Sequence, residues 1–120
     1  MKKILAVLAV AAISGCVHAG PPGYYLKTWS SGYTETEGTV SDLHKTIMRM
    51  DTLEECDNAT VFFADNAVTQ MEKMAESRGD FFVDRAEFTP LPNAMEVMVY
   101  VSTKKEEGQA RFLFFCSTTP

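Results

Sequence analysis

The sequence predicts a small α+β domain in which one main helix packs on an antiparallel sheet of three to five strands. Two observations carry this. Apolar residues recur with helical spacing at Leu53, Cys56, Phe63, Ala64, Ala67, Met71, Met74 and Ala75. The segments on either side are instead rich in β-branched and aromatic residues, are punctuated by Gly and Pro, and in residues 95–101 place Met95, Val97, Val99 and Val101 at alternate positions.

The elements follow in chain order. Residues 24–30 are strand-like and end at Ser31-Gly32; residues 33–40 continue as an irregular strand or a loop, and residues 44–50 form the next strand. Asp51 or Thr52 caps the helix, since Glu54 and Glu55 stand three residues after them and place negative charge at the positive helix end. Gly79 after Arg78 is the natural stop. A rival parsing breaks this element into a strand at residues 60–64 and a shorter helix capped by Asp65 or Asn66. Residues 81–89 read as a strand, Pro90-Leu91-Pro92-Asn93 as a break, and residues 95–101 as a strand with Met95, Val97, Val99 and Val101 on one face. A charged hairpin loop at 104–108 leads to residues 110–116, apolar on both faces as in a central or covered strand.

The first residues of the chain are of another kind. Lys2 and Lys3 precede an apolar run at residues 4–13, long enough for a signal-peptide core and too short to span a bilayer. The run ends in Ile13-Ser14-Gly15-Cys16. This tetrad resembles the lipobox of bacterial lipoprotein precursors: an aliphatic residue, two small residues that admit a peptidase, and a thiol nucleophilic enough to take a diacylglyceryl group. The resemblance implies residues 1–15 as signal peptide, Cys16 as the lipid attachment site, and residues 16–23 as a lipidated tether. It also implies residence in the bacterial cell envelope. Val17 after the cysteine implies outer-membrane sorting, facing the periplasm or the surface. Val17-His18-Ala19 before Gly20 is an alternative cleavage site for ordinary secretion. Residues 24–120 then form the single domain.

Three cysteines are present, and assigning Cys16 to lipid leaves Cys56 and Cys116 as a pair in a disulfide-permissive compartment. Removing fifteen of the 120 residues leaves 105, enough for one modest core. Losing Lys2 and Lys3 moves the net charge from -5 to -7, which argues against nucleic acid or an anionic lipid surface as a partner of the folded domain.

Candidate chemistry is sparse. The carboxylate pairs Glu54-Glu55 and Glu106-Glu107 read as helix-start electrostatics and loop solubility, and His44 stands without a nucleophile motif. No catalytic residue, cofactor or metal site is assigned, so the expectation is a non-enzymatic protein. The sharper lead is Tyr24, Tyr25, Trp29 and Tyr33, aromatics set among Ser and Gly as in protein contact surfaces. Alternation places Tyr25 and Trp29 on the face opposite Tyr24. The expected function is therefore a lipid-anchored binding or accessory module for another envelope protein. An alternative is a periplasmic lipoprotein that binds Cu(I) or Ag(I) through Met48 and Met50 on a strand, or Met71 and Met74 on the helix. Such methionines also fill small cores.

Overall fold

The computed structural model describes residues 22–120, so the leader, Cys16 and the tether up to residue 21 lie outside the described residues. The elements run β1 (Tyr24–Thr34), β2 (Gly38–Met50), α1 (Leu53–Arg78), β3 (Phe82–Leu91), β4 (Ala94–Ser102) and β5 (Glu107–Ser117). The strands form one sheet in the order β2-β1-β5-β4-β3, with every pairing antiparallel. The expected α+β architecture, one helix on an antiparallel sheet, is the one observed.

The last strand of the chain occupies the centre of the sheet. A central strand must be apolar on both faces, and β5 supplies Phe112, Phe114 and Cys116 on one side and Leu113 and Phe115 on the other. Gly108 at its start admits the close approach of β1, since a Cβ there would lie 2.9 Å from the Tyr33 carbonyl oxygen. The hairpin loop is shorter than the sequence suggests: Glu107 and Gly108 belong to β5, and the Thr103 hydroxyl accepts from the backbone N–H groups of Lys105 and Glu106.

The helix is one uninterrupted element, so residues 60–64 are helical and the rival strand there does not form. Its start is a complete capping box. The Glu55 N–H donates to Thr52 Oγ1 at 3.1 Å and the Thr52 N–H donates to Glu55 Oε1 at 3.2 Å. Its end is Gly79 at φ 71°, whose N–H donates to the Ala75 carbonyl at 2.9 Å. Cys56, Thr60 and Ala64, spaced four apart, are its fully buried residues. All three are small, which lets the helix axis approach the sheet closely. Thr60 escapes a hydrophobic reading of the sequence, yet its hydroxyl donates to the Asp57 carbonyl at 2.6 Å and so is buried without loss.

The core lies between α1 and one face of the sheet. Leu26, Val97, Val99 and Phe114 meet Cys56 and Ala64 there, flanked by Phe63, Ala67, Val68 and Met71 from the helix. Met95, Val97, Val99 and Val101 share this face, as their alternation predicts. Leu53 and Met74, assigned to the apolar face by spacing, are instead exposed. The Cys56–Cys116 disulfide, with Cα atoms 6.1 Å apart, ties the first turn of the helix to the central strand.

Two strands run past their expected ends. β1 continues through Gly32 to Thr34, with residues 35–37 as the turn into β2. β3 continues through Pro90 to Leu91, so the chain reverses only at Pro92 and Asn93. Because β3 is an edge strand, the missing N–H of Pro90 leaves no interior ladder bond unmade. Asn93 turns the chain at φ 55°, and its carbonyl accepts from the Cys116 N–H at 3.0 Å.

Candidate functional site: the sheet face opposite the helix

The helix covers one face of the sheet; among the described residues no helix or strand covers the other. The register defines that second face. In β1 it takes Tyr25, Lys27, Trp29, Ser31 and Tyr33, in β5 Gln109, Arg111, Leu113 and Phe115, and in β4 Glu96, Met98 and Tyr100. A row therefore crosses the sheet from His44 through Trp29 and Leu113 to Glu96.

Trp29 stands at the middle of this surface, half-buried. Its ring lies 6.1 Å from that of His44 at an interplanar angle of 50°, and the Arg111 guanidinium lies 5.1 Å from its centroid. Glu96 pairs with Arg111 and holds that cation beside the indole. A second stacked cation stands toward β3. The Arg85 guanidinium lies 3.8 Å from the centroid of Tyr100, whose hydroxyl donates to Glu87 at 3.1 Å. Aromatic rings are thus fixed by guanidinium groups that are themselves fixed by carboxylates. Two shallow hollows of about 220 and 260 Å³ flank Trp29 along β1, the first between Tyr33 and Arg111, the second between Lys27, His44 and Phe115.

The four aromatics singled out in the sequence separate. Tyr24 packs against the helix-side core, and Tyr25, though on the opposite face, is only 6% exposed. Tyr25 is therefore almost wholly covered, while Tyr24 is half-buried with one side against the core. Trp29 and Tyr33 remain on the accessible face, Tyr33 with 44% of its surface free. The residues that position Trp29 were not legible. Arg111 and Glu96 are distant from Trp29 in sequence, and only the β1-β5-β4 register joins them to it; the separate Arg85–Tyr100 stack is joined by the β3-β4 register.

The remaining candidates are placed as follows. Glu55 is engaged in the capping box, and the Glu106 carboxylate accepts from the Thr36 N–H at 2.9 Å, so each carboxylate pair has one member in a structural role. His44 lies on the exposed edge strand β2 against Trp29. Met50 and Met71 pack against the core while Met48 and Met74 are exposed, so each methionine pair is divided between interior and surface. Among the described residues no group of three or more His, Cys, Asp or Glu side chains converges as a metal site, and no helix is long and apolar enough to cross a membrane. No protein-family model matches the chain, and neither the curated proteins nor the solved structures contain a match to it.

Proposed function

We propose that the protein is a lipid-anchored, non-enzymatic binding module of the bacterial cell envelope, and that it docks another envelope protein on the helix-free sheet face around Trp29 and Tyr33. The observation that carries the reading is the pinned ring of Trp29: a half-buried indole held by Arg111 and Glu96 on a face that no described element covers. A rigid aromatic with a stacked arginine at its side loses little entropy on docking, and Trp and Arg dominate the energetics of protein interfaces. The lipobox-like leader and a disulfide that persists only in an oxidising compartment support the location.

The test has two arms. Replacing Cys16 with Ser should abolish acyl labelling and detergent-phase partitioning. Trp29→Ala should weaken capture of the partner from intact envelopes by about thirtyfold, the effect of a hot spot worth about 2 kcal/mol, while circular dichroism and thermal stability stay near wild type. Partitioning that survives Cys16→Ser overturns the anchor. Collapse of the fold in both Trp29→Ala and Tyr33→Ala returns those rings to a structural role and removes the site.

A further inference from the structure

The opposite side of the molecule carries a feature that the sheet-face reading does not use. In the N-terminal half of α1, on the surface turned from the sheet, Val61 and Phe62 are 52% and 65% exposed. Phe62 is the most exposed large apolar side chain among the described residues, and its only ring contact there is an edge-on approach to Phe63 at 5.4 Å. Single exposed apolar residues are ordinary, but two adjacent ones on a long exposed helix face form a knob that nothing in the core requires.

The charge around the knob is one-sided. Asp57 and Asn58 stand one turn before it and Asp65 one turn after it, all exposed. From Leu53 through Glu72 the helix carries Glu54, Glu55, Asp57, Asp65 and Glu72 and no Lys or Arg, its two cations, Lys73 and Arg78, lying at the far end. Sequence-adjacent carboxylates with no intervening cation leave a negative field in which the apolar pair is embedded. Such a surface repels a second copy of the same helix and an anionic lipid headgroup. It attracts a basic rim, and the apolar pair selects for a pocket inside that rim.

We infer that the outer face of α1, centred on Val61 and Phe62, is a second docking surface, and that its occupant is a protein presenting an apolar pocket ringed by Lys or Arg. Its carboxylates steer the approach, and Phe62 enters the pocket as the anchor. The two docking faces lie on opposite sides of one sheet, so the domain can join two proteins at once.

The experiment places the photo-crosslinking residue benzoylphenylalanine at position 62 of the full chain and irradiates intact cells and isolated envelopes. Replacing one aromatic by another at a site this exposed leaves the fold intact, which circular dichroism checks. The expected result is a discrete protein adduct whose peptide map places the crosslink on a Lys- or Arg-rich apolar surface. Its yield should fall by about tenfold when isolated envelopes are irradiated at high rather than low salt, and by a similar factor in the Asp57→Lys/Asp65→Lys variant. Because the salt arm needs no further substitution, it stands even if the charge-reversed variant fails to fold. An adduct of twice the chain's own mass, a lipid adduct, a crosslink to an acidic surface, or a yield indifferent to salt each overturns the inference, as does the absence of any adduct. Trp29→Ala should leave the position-62 adduct unchanged, so this surface and the sheet face fail or stand separately.

Discussion

Removing the disulfide tests how the helix is held to the sheet. Cys56 and Cys116 are 60 residues apart in sequence, and in the folded domain their bond joins the first turn of α1 to the strand paired with Leu26. Closing a loop of that length lowers the entropy of the unfolded chain by about 14 cal/mol/K, or about 4 kcal/mol at 25 °C. For a domain near 100 residues this corresponds to a fall in melting temperature on the order of 20 °C. The double variant Cys56→Ala/Cys116→Ala avoids stranding a buried thiol and replaces each residue with one that fits the space. Urea unfolding followed by circular dichroism should show the midpoint lowered and the slope m raised, because an uncrosslinked unfolded chain exposes more surface. A loss below about 1 kcal/mol with unchanged m would refute the argument, since the cross-link would then be leaving the unfolded ensemble unrestricted.

Other outcomes follow from the same geometry. Thiol labelling of the denatured, unreduced protein should find neither Cys56 nor Cys116 reactive, whereas Cys116→Ala should make Cys56 reactive. Thr52→Ala removes the hydroxyl that accepts from the Glu55 N–H and should cost about 1 kcal/mol in urea unfolding; a change within 0.2 kcal/mol or so would mean the capping box contributes nothing. Leu26→Ala, at a wholly buried position, should cost about 2–5 kcal/mol, while Phe62→Ser should change stability by no more than about 0.5 kcal/mol; the reverse order in thermal melts would contradict the placement of the core. Gly79→Ala forces a Cβ into the left-handed region at φ 71° and should destabilise the helix end by about 1 kcal/mol, read as a lowered melting temperature.

Local signals fixed much of this molecule before any contact was known. The capping box at Thr52 and Glu55 and the stop at Gly79 set the helix bounds because each satisfies helix-end backbone groups with neighbours in sequence. The alternation of Met95, Val97, Val99 and Val101 chose the buried face of β4, since a strand's side chains have a period of two in any surroundings. The cysteine count allowed one pairing within the domain.

Other features depended on which strands became neighbours. Pro90 reads as a break, and the sheet accepts it only because β3 lies at the edge. Thr60 reads as polar, and it is buried only because its hydroxyl reaches a carbonyl three residues back while the helix presses on the sheet. Alternation set Tyr24 on the face opposite Tyr25 and Trp29, but which face met the helix, and the burial of Tyr25 on the other, depended on the assembled sheet. Nor could the aromatic run of β1 disclose Arg111 and Glu96, which reach Trp29 through the insertion of the last strand between β1 and β4. Sequence by itself determined the existence of the main elements, the bounds of the helix and the disulfide pairing, because those rest on periodicity, capping and composition within short stretches, whereas the strand ends moved by several residues once neighbours were paired. Tertiary structure alone decided the order of the strands and the face on which an aromatic ring meets its cation, because a register between segments some eighty residues apart is set by how both faces of the sheet are packed.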